Sequence, residues 1–131
     1  MALIHVEEQA MKSLPAESFY REVSSTLHLW SISTDEGVPT FRNDDGATCL
    51  HVWSSKEKVE RIIESETCFQ QFRPLEIPWS LFESYWMEEL LPEDAVFAVN
   101  WIGKKHKIWE EPASELANHV NTLIHQRVSQ K

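Results

Sequence analysis

The sequence predicts a single α+β domain, a mostly antiparallel sheet of about five strands covered by about four helices. Three observations lead there. Stretches with helical spacing of apolar residues alternate with short apolar runs of strand length. Turn-forming residues separate neighbouring runs, as in hairpins rather than long crossovers. The chain has 131 residues, 42% of them hydrophobic and 25% charged, which suits one core and leaves no room for a second. Residues 13–128 are assigned to the domain, residues 1–12 to an N-terminal extension and residues 129–131 to a C-terminal tail.

The first helix spans about Ala16 to Ser25, with Pro15 near its first turn, where a missing N–H does no harm, and Phe19, Val23 and Tyr20 on its apolar face. Leu27 to Ile32 is apolar on both faces and reads as an interior strand. A weaker strand around Val38 to Arg42 carries Pro39, which assigns it to an edge. Asn43-Asp44-Asp45-Gly46 has the chemistry of a hairpin loop, and Thr48 to Trp53 is the returning strand. Period-two alternation puts Leu50 and Val52 on one face and Cys49, His51 and Trp53 on the other.

Ser54 with Glu57 has capping-box spacing and opens a helix to about Ser65, striped by Val59, Ile62 and Ile63. Leu75 to Pro78 is a short extended piece. Ser80 with Glu83 repeats the capping-box spacing and starts a helix to Leu91, which Pro92 ends. Ala95 to Ile102 is the strongest strand, with Gly103-Lys104-Lys105 as a turn into a partner strand over His106 to Trp109. Glu110-Glu111-Pro112 suits a helix N-terminus, and the last helix extends to about Gln126.

Twelve Lys and Arg against twenty-one Asp and Glu give a net charge of −9. Phosphate backbones and anionic membranes would repel such a surface, so neither nucleic acid nor membrane is expected as a partner. The first twelve residues carry Glu7 and Glu8 and do not read as a signal peptide, and no stretch approaches the ~20 apolar residues of a membrane span. With Cys49 and Cys68 as its two cysteines, the chain is expected to be cytoplasmic and reduced.

The blocks Phe19-Tyr20, Leu29-Trp30-Ser31-Ile32, Asp35-Glu36-Gly37, His51-Val52-Trp53-Ser54-Ser55, Leu75 through Phe82, Trp86, Leu90-Leu91, Val99-Asn100-Trp101 and Glu111-Pro112 with Leu116 occur in order over residues 16–124. In these blocks the chain resembles a bacterial family catalogued as domain of unknown function 2750. The resemblance implies a small bacterial α+β domain and assigns neither an activity nor catalytic residues.

Several site chemistries are missing from the sequence: a phosphate-binding glycine loop, a His-Glu-x-x-His zinc motif, a Cys-x-x-Cys pair and a Gly-x-Ser-x-Gly elbow. No metal, cofactor or catalytic residue is therefore assigned. Cys49 and His51 lie two residues apart on one strand face, about 6.6 Å along the backbone, and could form a thiol–imidazole pair. Of six tryptophans, Trp30, Trp86 and Trp101 read as core, whereas Trp53, Trp79 and Trp109 fall at element ends where an indole N–H can reach water. Glu83, Glu88 and Glu89 crowd one helix. Together these favour a non-catalytic interaction or regulatory module whose binding residues are Trp53, Trp79, Trp109, Glu83, Glu88 and Glu89. A basic protein is its expected partner, and a homodimer joined through the tryptophans is a further expectation. The alternative is a small-ligand-binding protein or an enzyme with a pocket near Cys49, His51 and Trp53.

Overall fold

A computed structural model describes residues 15–129, so the assigned extension 1–12 and residues 130–131 of the tail lie outside the described residues. Helix α1 covers residues 15–26 and presents Ala16, Phe19, Tyr20 and Val23 to the core. Leu27 then adopts a positive φ of 60°, which turns the chain into strand β1, His28–Ser33. Strands β2 (Phe41–Arg42) and β3 (Thr48–Val52) form the expected hairpin. The Asn43 side-chain oxygen closes its loop by accepting from the backbone N–H groups of Asp45 and Ala47 at 3.0 and 2.8 Å.

Helix α2 spans Lys56–Ser65 and leads through a 3-10 turn, Thr67–Phe69, into β4, Arg73–Pro78. The N-cap of α2 is Ser55, whose hydroxyl accepts from the Lys58 N–H. The expected cap, Ser54, is buried in a different network. Helix α3, residues 79–90, begins directly after Pro78 with no side-chain cap, so Ser80 and Glu83 do not form the expected box. Its middle turn, Phe82–Trp86, is π-helical, and Trp79, Phe82 and Trp86 stack in succession at 5.3 and 5.7 Å. Strand β5 is Val96–Val99. The chain from 100 to 109 is a loop, so the expected strand over His106–Trp109 is displaced to β6, Glu110–Pro112. Helix α4, Ala113–Ser129, follows.

The architecture is α+β, with one four-stranded sheet ordered β2-β3-β5-β6 and one two-stranded sheet, β1-β4. Three of the four strand pairings are antiparallel; the central one, β3 with β5, is parallel and sets His51 opposite Ala98. A Trp30–Trp53 bridge joins the two sheets. One core lies between the sheet face carrying Leu50, Val52, Phe97 and Val99 and the helices α1, α3 and α4. A second core, built from Ile32, Trp53, Val59, Ile62, Phe69 and Trp101, lies under α2 on the other face. Among the described residues no helix is long and apolar enough to cross a membrane.

Candidate functional site

Alternation along β3 sends Cys49 and His51 to the face opposite the larger core. Helix α2 packs on that face in the core that holds Trp53, and beside it a cleft of about 620 Å³ opens. Phe41, opposite Cys49 in the β2–β3 register, forms one wall, and Cys68 and Phe69 on the 3-10 turn form another. Trp101, the following loop through Lys107 and Ile108, and the hairpin loop from Arg42 to Asp45 complete it, together with Glu110. Gly103 holds that loop close to α2's exit: its φ is +129°, and an added Cβ would come within 3.3 Å of the Glu66 carboxylate.

His51 sits at the centre. It is 95% buried by its 5% exposure, and four rings surround its imidazole: Phe41 at 5.2 Å, Trp101 at 5.3 Å, and Trp53 and Phe69 at 5.7 Å. Trp53 stacks beneath it nearly parallel, at 18°. Burial in this apolar setting pushes the imidazole pKa down to about 4, so the ring is neutral at neutral pH. Its Nδ1 is buried and has no hydrogen-bond partner among the described residues. Unsatisfied buried polar atoms are scarce in native folds, and this one belongs to a residue that lines the cleft.

Cys49, also buried, has its thiol pushed up to about 12, first by burial and then by the charge of Glu110. It stays a thiol at neutral pH and lacks the thiolate character a nucleophile needs. Cys68 is exposed at the same cleft. Cys49 and His51 thus lie side by side as expected, but in a neutral, apolar setting. Among the described residues no group of three or more His, Cys, Asp or Glu side chains is placed to hold a metal ion.

The tryptophans sort differently from their sequence positions. Trp53 is fully buried, and its indole N–H donates to the Trp101 carbonyl. Trp79 is buried in the larger core and donates to Asn121 Oδ1 at 3.0 Å. Trp109 is half-buried, with the Lys107 ammonium 4.6 Å from its ring centre. The indoles of Trp53 and Trp79 found a backbone and a side-chain acceptor rather than water, and with both rings buried Trp53, Trp79 and Trp109 do not make one exposed patch. Trp30 and Trp86, expected in the core, are half-buried at its margins. Glu83, Glu88 and Glu89 are exposed on α3, where Glu83 accepts from Asn121.

Phe41, Phe69, Trp101, Cys68 and Glu110 were not among the expected site residues. Counting back from the hairpin loop would have set Phe41 near Cys49, because an antiparallel register fixes partners by symmetry. The others reach the cleft through the parallel β3–β5 pairing and the 3-10 turn, for which local sequence carries no signal.

Fold and site together define a small α+β domain with an aromatic cleft around a buried neutral histidine. Residues 16–120 match the model of the family described as protein of unknown function (DUF2750), and the chain belongs to that family. Among curated proteins, none matches it.

Proposed function

We propose that this domain binds a small, uncharged, planar ligand in the His51 cleft. The observation that carries this reading is the unpartnered, buried Nδ1 of His51 among four aromatic rings. Rings on several sides favour a flat guest by stacking, and a neutral imidazole offers one donor and one acceptor rather than a charge. The charged residues lining the cleft, Arg42, Asp44, Asp45, Lys107 and Glu110, are exposed, so an ion carried down to His51 and the Cys49 thiol would lose its hydration without gaining a partner charge there. The protonated Cys49 argues against thiol catalysis, so the reading is of a binding protein.

The test is a fragment screen of planar heteroaromatic compounds by ligand-detected NMR, repeated on His51→Phe. Phe keeps the aromatic cluster and removes both ring nitrogens. Hits that bind the native protein and lose at least tenfold in affinity with His51→Phe support the reading. A screen whose hits bind both proteins equally, or that yields none, overturns it.

A second reading, a docking face for a basic protein segment, is favoured by α3. Leu81 and Tyr85 are 47% and 65% exposed there beside Glu83, Glu88 and Glu89, and no Lys, Arg or His occurs between Pro74 and Gly103. Such a face suits an amphipathic basic helix, with apolar contacts for affinity and charge for association rate. Binding of a Leu/Lys amphipathic peptide should weaken and lose salt dependence in E88K/E89K. Unchanged affinity would remove α3 from the account.

A further inference from the structure

A second cavity, about 350 Å³, lies between α1 and α4 beside β6, on the opposite side of the sheet from His51. Its floor is apolar, from Ala16 and Leu123, and Glu17, Tyr20, Glu111, His119 and Thr122 supply its polar groups. Tyr20 is more than nine-tenths buried, at 8% exposure, and its hydroxyl, which makes no hydrogen bond of ordinary geometry among the described residues, is turned towards the Glu111 carboxylate. The ring meets His119 edge-on at 4.8 Å, and both residues line the cavity.

Glu111 is half-buried in the middle of β6 and makes no ion pair among the described residues. Burial raises its carboxyl above the ordinary range, partly offset by the Tyr20 hydroxyl and by His119 on α4. The Tyr20 phenol is pushed up in turn by burial, by the charge of Glu111 and the pull of its carboxylate on the hydroxyl proton, and last by the charge of Glu115. Glu17 on α1 lines the far wall. The polar groups lining this cavity are therefore two carboxylates, one phenol, one imidazole and the Thr122 hydroxyl, on an apolar floor, with the Glu115 carboxylate acting on Tyr20 from outside it. That arrangement repels anions and leaves a desolvated carboxylate without a counterion.

We propose that this cavity is a binding site for a small primary amine with an apolar body, its ammonium held between the Glu111 carboxylate and the Tyr20 hydroxyl. An ammonium has three N–H donors and no acceptor, so it can satisfy a carboxylate and a phenolic oxygen together. The apolar body covers Ala16 and Leu123. The site is independent of the His51 cleft, and neither reading depends on the other.

The probes are 2-phenylethylamine, its neutral counterpart 2-phenylethanol, and 3-phenylpropionate, titrated into the full chain and followed by NMR. The amine should bind with shifts at Tyr20 and His119, the alcohol at least tenfold more weakly, and the anion not at all. Glu111→Gln keeps the shape and removes the charge, and should cost at least tenfold for the amine alone, as expected for one charge-assisted contact. Tyr20→Phe should cost several-fold, and Glu57→Gln, an exposed carboxylate on α2, nothing. Equal binding of amine and alcohol, undiminished binding by Glu111→Gln, or no amine binding up to about 10 mM each overturns the proposal.

Discussion

The indole N–H of Trp53 donates to the backbone carbonyl of Trp101 at 2.8 Å, across the parallel β3–β5 pair. The contact joins the end of β3 to the loop leaving β5, and the same indole forms the ring stacked under His51. One side chain thus closes the smaller core and supports the imidazole that lines the cleft.

Trp53→Phe should therefore destabilise the domain more than a loss of ring area alone. It leaves a buried carbonyl without its donor and opens a void under His51. The sum is about 2–4 kcal/mol. Urea unfolding should show a lower midpoint at unchanged slope. A loss below about 0.5 kcal/mol, the size of an ordinary surface change, would mean that the Trp101 carbonyl has another partner.

His51→Phe should raise stability while abolishing binding in the cleft, because it removes an unpartnered buried nitrogen and keeps the aromatic packing. It should also flatten the acid side of the stability profile. The folded imidazole, at about 4, lies below its ordinary value of 6.5, so the unfolded chain takes up the proton first as pH falls. Stability from this residue is complete above about pH 6.5 and lost progressively towards about pH 4, up to about 3 kcal/mol in all. Unfolding at about pH 7.5 and about pH 5 should show the native protein losing more stability than His51→Phe. Parallel losses would show that His51 is not held neutral by burial.

The two cysteines should separate cleanly in thiol chemistry. Cys68 is exposed, whereas Cys49 is buried and its thiol is pushed up to about 12. Labelling with an aromatic disulfide reagent near neutral pH should modify one thiol in the native protein, both after denaturation, and none natively in Cys68→Ser. Rapid reaction of Cys49 in the folded Cys68→Ser protein would restore the thiol as a candidate nucleophile.

Much of the fold was legible because its elements carry local signals. The order of helices and strands, the loop at Asn43–Gly46 and the two faces of β3 all follow from periodicity and turn chemistry. Cys49 and His51 were identifiable as same-face neighbours for that reason. What failed depended on distant partners. Ser54 carries cap chemistry, but Glu22 and Asn100 claim its side chain, leaving the cap to Ser55. Trp53 and Trp79 end their elements, yet Trp101 and Asn121, each more than forty residues away, satisfy their N–H groups. Glu110 and Glu111 suit a helix start, but pairing with Ala98 and Phe97 makes them strand. The cleft's other walls, Phe69 and Trp101, meet only after β3 and β5 pair in parallel.

Asn100 is where β5 ends and the loop over the cleft begins, and it supports the most diagnostic substitution series. Its φ is +51°, a conformation Asn tolerates better than most side chains, and it is buried. Its backbone N–H donates to the Val52 carbonyl at 2.9 Å. Its side chain accepts from the Ser54 N–H at 2.9 Å and donates to the Ser54 hydroxyl at 3.1 Å. That hydroxyl donates to Glu22, whose carboxyl stays below its ordinary range because Ser54 and Lys58 outweigh the effect of burial. Asn100→Gly keeps the backbone conformation and loses the side-chain bonds, at about 2 kcal/mol. Asn100→Ala loses the same bonds and adds a Cβ in the left-handed region, a further 1 kcal/mol or about that. Thermal unfolding should rank native above Gly above Ala, with the Ser54 N–H exchanging faster in both variants. If Ala equals or exceeds Gly, the left-handed turn is not what selects Asn100; if Ser54 stays protected, the side chain does not hold the β3–α2 junction.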